Sequence, residues 1–559
     1  MLDRSRVISL FVISLCFLTN PCVVAAEKPK PKLIVAVVVD QFRYDYLLRF
    51  RDSYTGGIKK LLSEGAVFVD AHYPQYPTVT AVGHSTFLSG ATPSASGIIN
   101  NGWFERTPFV TKIGACSGAV VPKEGRSISS VTDDSVCLVG IEPKERGSSP
   151  RRLLVSTLGD ELKIARGASK VIGISLKDRA AILPAGHMAD AAYWFAGGRV
   201  VTSTYYMEKL PEWVADFNRT LPDRVKAYQM WSPVDGKPDD RPFCTMKADS
   251  AVRPCGGAKE SKMEGKIENT PLTNEMLEDL AERAIENEQL GRHEDTDVLA
   301  LSFSANDLIG HELGPDSPEV RDISIRTDLL LGKLFNFLDR AKLGEDKTLV
   351  VFTADHGVAP VPKVNNERKM PGGWVSTEEA SLRIGEKLSA HFRKQGIDWF
   401  RDHNSGLLYL NYEAIAQLDL DAAKVRRVAA DAARTLPHIA RVFTRDDLLR
   451  GGERADRIGR AVQLGFYGPR SGDIILVPEP YYMFTGNPAG SEPGDGTTHL
   501  TPYSYDSHVP LIFFGPGMIR GGSYYGRVAV NDVAPTLAAI LGVETPSGSS
   551  GRILSEILE

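Results

Sequence analysis

Leu33-Ile-Val-Ala-Val-Val-Val39-Asp40 is the stretch from which the rest of the chain can be read. Seven apolar residues follow one another without a polar alternation, and most are β-branched. Such a run suits a strand covered on both faces, the kind found in parallel sheets flanked by helices. It stops at a carboxylate. Further short apolar runs at Val171–Ser175, Val298–Phe303, Leu349–Thr353, Ile474–Val477 and Leu511–Phe514 read as companion strands. Helical patterns lie between them. Ser149-Pro150 is an N-cap and first-turn pair ahead of a helix over Leu153–Leu162. Ser317-Pro318 plays the same part ahead of a helix reaching about Ala341, in which Leu331, Leu334, Phe335 and Leu338 share one face. The alternation predicts an α/β fold, a doubly wound and mostly parallel sheet between helices. Sheets of this kind bind ligands beyond the carboxyl ends of their strands.

Three stretches, about 103–146, 190–270 and 362–470, interrupt the alternation and read as insertions capping the sheet of one catalytic domain, 27–559. The last is expected to fold semi-independently. Lys plus Arg total 65 against 70 Asp plus Glu, a net charge of −5, which argues against nucleic acid or a membrane surface as partner. Residues 1–26 read as a signal peptide: Arg4 and Arg6 precede the apolar run Val7–Leu18, and Val24-Ala25-Ala26 offers a cleavage site. That run is too short to span a bilayer, so a periplasmic or secreted protein is expected. Cleavage removes Cys16 and Cys22. The remaining four cysteines in an oxidising compartment suggest disulfides, and of the three pairings short loops favour Cys116–Cys137 and Cys244–Cys255.

Metal-ligand residue types stand at the ends of the expected strands. Asp40 ends the first, Asp307 follows the run 298–303 with His311 one helical turn on, and Asp355-His356 ends the run 349–353. His499 lies in Gly496-Thr-Thr-His499. Six nitrogen and carboxylate ligands without thiolates suit zinc, and they fit two ions better than one tetrahedral site. Paired ions clamp the attacking and leaving oxygens of an in-line displacement. Each residue alone has a plainer reading, since a strand-end Asp is usually a cap or salt-bridge partner. The candidate nucleophile is Thr80 in Pro77-Thr-Val-Thr-Ala-Val-Gly-His84, ahead of a helix over Ser85–Ser89 whose N-terminus would attract a phosphoryl oxygen. Taken alone, Thr78 or Thr80 would merely cap that helix. Lys177 and Arg179 follow the run 171–175 and answer the two charges of a phosphomonoester, Arg with a planar fork. Asn101 offers an amide donor.

Together, Asp40, Pro77-Thr-Val-Thr80, Asp307-Leu-Ile-Gly-His311, Asp355-His356-Gly357 and Gly496-Thr-Thr-His499 resemble the alkaline phosphatase superfamily. The resemblance is to the branch of nucleotide pyrophosphatase/phosphodiesterases and PafA-like, phosphate-irrepressible alkaline phosphatases. It extends to Asn531-Asp-Val-Ala-Pro-Thr536 and so covers nearly the whole mature chain. It implies two zinc ions per chain and a transiently phosphorylated Thr80. One ion would be held by Asp40, Asp355 and His356 with Thr80, the other by Asp307, His311 and His499. Asn101 matches the phosphate-binding asparagine. Ser175-Leu-Lys-Asp-Arg179 resembles the monoesterases rather than the diesterases, and implies that Lys177 and Arg179 contact the transferred phosphoryl group. The expected activity is hydrolysis of small-molecule phosphomonoesters. The rival readings are a phosphodiesterase or nucleotide pyrophosphatase with the same two-metal site, and an exported phosphate-ligand binding protein without turnover.

Overall fold

The run that opens the chain's core is strand β1 (Leu33–Val39), and all seven of its residues are buried. With no polar face it can only be satisfied between neighbours on both edges and helices on both faces. The computed structural model describes residues 29–106, 116, 125–236, 240–246, 252–255, 267–452, 456–487 and 496–558. The expected signal peptide, 1–26, lies outside these residues.

In chain order the strands of the two main sheets continue with β2 (Ala66–Phe68), β3 (Thr132–Val139), β4 (Arg146–Ser148), β5 (Val171–Ile174), β6 (Ala191–Ala196) and β7 (Arg199–Ser203). They go on through β8 (Asp297–Phe303), β9 (Thr348–Thr353), β10 (Phe400–Asn404), β11 (Leu407–Leu410), β12 (Ile439–Thr444), β13 (Ile474–Pro478), β14 (Leu511–Phe514) and β15 (Gly522–Tyr524). The central sheet has the order β15-β2-β14-β9-β1-β8-β5-β6-β7-β3-β4. Its middle, β9-β1-β8-β5-β6, is parallel. β14 and β7 run antiparallel to their inner neighbours on either side. The architecture is the expected α/β one. The helices that matter for the site are α1 (Thr80–Ser89), α2 (Leu158–Arg166), α3 (Asp178–Ala185), α4 (Ala305–Leu313) and α5 (Pro318–Arg340).

Four expectations change in detail. Ile474–Val477 is a strand, β13, but it belongs to a separate antiparallel sheet ordered β10-β11-β13-β12. An apolar run records burial on both faces and not which sheet supplies it. Ile474 and Leu476 pack with Ile384, Leu388, Val425 and Ala429 of that sheet's own helices, while Ile475 and Val477 pack toward Tyr76 and Val462 of the main body. Next, Ser149 caps only the 3-10 turn Pro150–Arg152. Helix α2 starts at Leu158, where Thr157 and Asp160 exchange hydrogen bonds in a capping box, the stronger start signal. Helix α1 begins at Thr80 itself, five residues before the expected start. Finally, β3 from the first stretch and β6 and β7 from the second, both expected to cap the sheet, are strands of it instead. Ser317 does cap α5, and its hydroxyl accepts from Val320 N–H. Both expected disulfides, Cys116–Cys137 and Cys244–Cys255, are present.

Candidate active site

Parallel register brings the key carboxylates together. Val38 of β1 is level with Ser302 of β8 and Thr353 of β9, so the three neighbouring strands end side by side. Asp40 ends β1, Asp355 lies just past β9, and Asp307 enters from α4 immediately after β8. All three are buried. His311, one turn along α4, places Nε2 3.2 Å from Asp307 Oδ1. The rings of His356 and His499 stack with centroids 3.6 Å apart. The six residues singled out as metal ligands therefore converge.

The three histidines share one hydrogen-bond arrangement. Nδ1 of His311 faces Thr497 O at 2.9 Å, that of His356 faces Gly357 O at 2.9 Å, and that of His499 faces Thr78 O at 2.7 Å. A carbonyl only accepts, so each Nδ1 carries the proton and each Nε2 keeps its lone pair. This is the outer-shell arrangement of metal-ligating histidines. Burial holds His356 down to about 4 and His499 well below the ordinary range, so both are neutral near pH 7. Among the described residues, buried His356 Nε2 and Asp355 Oδ2 have no hydrogen-bond partner, which is costly unless something binds them. The residues thus fit divalent ions. Asp307, His356 and His499 offer ligand atoms within 4.8 Å of one another, and so do Asp40, His84 and Asp355. His356 stands where the two groups meet, 3.3 Å from Asp355 Oδ2.

Lys177 is the cation at the centre. It is the N-cap residue of α3, and its Nζ lies 2.9 Å from Asp40 Oδ2 and 2.6 Å from Asp307 Oδ2. Burial would discharge the ammonium, but the two carboxylates outweigh it and push the Lys177 value up. Burial likewise raises Asp40 and Asp307, and Lys177 outweighs it, with His84 at Asp40 and His311 at Asp307, leaving both below the usual range. Asp355 has no lysine or arginine within ion-pair distance among the described residues, and the imidazole nitrogens of His356 and His84 lie 3.3 and 3.5 Å from its Oδ2. Burial, then repulsion from Asp40, push it up to about 7.

Thr80 is buried at the first turn of α1. A Cβ on Gly83 would sit 2.2 Å from Asp355 O, so only glycine lets this helix lie against the end of β9. Asn101 caps the turn from outside, its Oδ1 accepting from Ala81 N–H at 2.8 Å, which keeps its NH2 as a donor. Arg179 is partly exposed, and its Nε has no hydrogen-bond partner among the described residues.

Three residues at the centre had no role assigned from sequence. Gln41 sits at φ 61°, a left-handed conformation unusual for a side-chain-bearing residue. Its N–H donates to Asp355 Oδ1 at 3.0 Å and its Nε2 to Asp307 Oδ1 at 2.7 Å. Ser302 donates to Asp40 Oδ1 at 2.6 Å. His84 Nδ1 faces Thr80 O at 2.9 Å and Nε2 faces Ser302 Oγ at 3.0 Å, so both nitrogens are placed to donate. Its position four residues after Thr80 on one helix was the available signal.

The sequence profile described as Type I phosphodiesterase / nucleotide pyrophosphatase matches residues 34–502. The chain is 35% identical to the "Calcium-transporting ATPase" of Myroides odoratus, over 99% of this chain and 99% of that one. It is 34% identical to alkaline phosphatase PhoV of Synechococcus elongatus, over 97% of this chain and 95% of that one. The crystal structure of alkaline phosphatase PafA superposes with a TM-score of 0.82 at 31% identity, covering 95% of this chain and 99% of PafA. Another solved PafA structure is of a variant altered at a threonine, an asparagine, a lysine and an arginine.

Proposed function

The chain belongs to the Type I phosphodiesterase / nucleotide pyrophosphatase family, on its PafA-like alkaline phosphatase branch, and from that premise we propose that it hydrolyses phosphomonoesters through a phosphothreonine at Thr80. The observation that carries this reading is the meeting of three buried carboxylates, neutral His356 and His499, and Lys177 beside the first turn of α1. Two zinc ions are the cofactor we assign, with Asp40, Asp355, His356 and Thr80 holding one and Asp307, His311 and His499 the other. When bound, such ions neutralise charge on the attacking and leaving oxygens.

The chain's own groups do the rest. Thr80 Oγ attacks phosphorus, the bond to the ester oxygen breaks, and water later cleaves the Thr80 phosphoester. The Thr80 N–H at the first turn of α1 and the Asn101 NH2 donate to phosphoryl oxygens. Lys177 and Arg179 supply the two positive charges that a monoester dianion needs and a diester does not. Burial around Thr80 excludes bulk water and strengthens each of these interactions. The disulfides agree with an exported protein, and we assign it to the periplasm or exterior. No described helix is long and apolar enough to cross a membrane.

The family's printed description favours one second reading, diester or pyrophosphate cleavage at the same centre. Rates on an aryl phosphomonoester and its methyl diester separate the two. We expect monoester preference, and Lys177→Ala to lower monoester kcat/KM by about 10²–10³-fold while changing the diester rate far less. Diester preference, or indifference to Lys177→Ala, would overturn the assignment. The Myroides relative's name adds ATP to the substrate panel, since attack at its terminal phosphorus is the same displacement with ADP leaving. Acid quenching of labelled substrate should trap phosphothreonine in the wild type and none in Thr80→Ala.

A further inference from the structure

Asp70, His72 and His508 form a third group of metal-ligand side chains, sharing no residue with the two groups of the catalytic centre. Each of the three offers a ligand atom within 4.8 Å of the other two. The backbone brings the histidines together. Tyr73 N–H donates to Ser507 O at 2.9 Å and Val509 N–H to Ala71 O at 3.1 Å, so His72 and His508 face each other as an antiparallel pair. No hydrogen bond joins the two members of such a pair directly, and their side chains approach more closely than in the alternate kind. The His72 and His508 rings stack with centroids 4.5 Å apart, and Tyr44 stacks on His508 at 4.3 Å.

The hydrogen bonds leave lone pairs available to a metal. His508 Nε2 faces Val69 O at 3.0 Å. A carbonyl only accepts, so Nε2 carries the proton and Nδ1 keeps its lone pair. One ring nitrogen held by a backbone carbonyl is also the arrangement of His311, His356 and His499. His72 has a partner at each nitrogen: Nε2 lies 2.7 Å from Asp70 Oδ1, and Nδ1 lies 3.3 Å from Ser507 Oγ. A hydroxyl accepts as readily as it donates, so His72 can hold its proton on Nδ1 toward Ser507. Its Nε2 and Asp70 Oδ1 then present lone pairs side by side.

Charge agrees with this. Burial, then the His508 and Arg527 charges, hold His72 down to about 4, and burial holds His508 below the ordinary range. Both rings are therefore neutral near pH 7. Burial would raise Asp70, but the hydrogen bond from His72 and that ring's charge outweigh it and keep the carboxylate ionised. Arg527 acts on all three residues, and Asp70 acts on Arg457. Both arginines are exposed, where water and salt screen them, so they weaken a cation site without closing it.

Two neutral imidazoles and a carboxylate whose side chain is 40% exposed make a three-ligand set of the kind that holds zinc with water in the fourth place. We propose that Asp70, His72 and His508 bind a further zinc ion, apart from the catalytic centre. Zinc bonds of about 2.0–2.2 Å set tetrahedral ligands roughly 3–3.5 Å apart, a spacing that side-chain rotation reaches here. The ion would tie residues 70–72 to residues 507–508. The site is separate from the catalytic reading and does not depend on it.

Equilibrium dialysis of the whole protein against zinc chloride, with bound metal counted per chain, tests this. We expect the wild type to take up one zinc ion more per chain than Asp70→Asn or His508→Phe. The zinc concentration that half-fills this last site should rise at least tenfold in each variant. Asp70→Asn alters a partly exposed side chain and His508→Phe keeps the ring stack, so both should keep their near-ultraviolet circular dichroism and aryl phosphate kcat/KM. The difference in uptake is independent of how many ions the catalytic centre holds. Equal uptake by all three proteins, or a difference confined to a variant that has lost its circular dichroism, would overturn the proposal. Failure of the catalytic reading would show instead as absent phosphate release with the zinc difference intact.

Discussion

At the end of β9, Asp355 is 1% exposed, and beside β13 in the antiparallel sheet Asp473 is fully buried. Their surroundings differ in kind. Asp473 accepts from Tyr412 OH at 2.6 Å, Leu410 N–H at 2.9 Å and Arg106 Nη2 at 3.2 Å, so both oxygens are satisfied by protein. Asp355 accepts one backbone N–H, from Gln41, and its second oxygen has no hydrogen-bond partner among the described residues. A buried carboxylate that the chain satisfies is structural; one held bare beside two other acids is kept for something that arrives later. The carboxylate beside β13 is thus satisfied by the protein itself, whereas the one at the parallel ends of β1, β8 and β9 keeps an oxygen unused.

Substitutions can break that contrast. Asp355→Asn should lower kcat/KM on an aryl phosphate by about 10³-fold or more, an effect of about 4 kcal/mol, while leaving the unfolding midpoint of chelated protein unchanged or raised. Steady-state kinetics and thermal melts measure the two halves, and a large loss of stability with modest loss of rate would erase the distinction. Asp473→Ala should do the reverse. Leaving Arg106 and Tyr412 without their partner should cost about 3–5 kcal/mol in denaturant unfolding, with kcat/KM within about threefold of wild type while folded.

Smaller changes sharpen the comparison. His84→Gln keeps a donor but not both contacts, to Thr80 O and to Ser302. Acting through Asp40 rather than on substrate, it should lower metal affinity or kcat about 10–100-fold. Metal titration distinguishes this from general unfolding, because excess zinc should restore much of the rate. The smallest effect concerns pH. Asp355 titrates near 7 when folded, above its ordinary 3.8, so the folded state holds the proton more tightly than the unfolded one. Its contribution is therefore fully present below about 4 and is lost as pH rises toward 7. In chelated protein the stability of Asp355→Asn relative to wild type should increase across that window, and a flat difference would place the carboxylate in water or beside an unrecognised cation.

Much of this was legible in the chain itself. Leu33–Val39 predicted a doubly covered strand, and the structure has it to the residue. Ser317-Pro318 predicted the start of α5. Asp40, Asp307, His311, Asp355 and His356 were recognisable because strand ends in a parallel sheet share one edge, which makes chain positions far apart predictably close, and His499 only because it completes the resemblance. Ile474–Val477 was legible as a strand but not as part of the antiparallel sheet, since buried runs look alike whichever partners bury them. Gln41 was not legible as a site residue. Its part depends on a φ of 61° that turns its N–H to one aspartate and its side chain to another.

What the sequence determined alone was inventory and order: which strands are covered twice, which side chains are able to bind metal, and which threonine precedes a helix. Local chemistry dictates those through apolar runs, caps and residue type. Tertiary structure alone decided which lone pairs remain unused. Asp355 and Asp473 are the same residue type; only the neighbours that folding supplies satisfy both oxygens of one and leave an oxygen of the other bare. Hydrogen bonds and burial are settled by what arrives from elsewhere in the chain, and no local pattern records that.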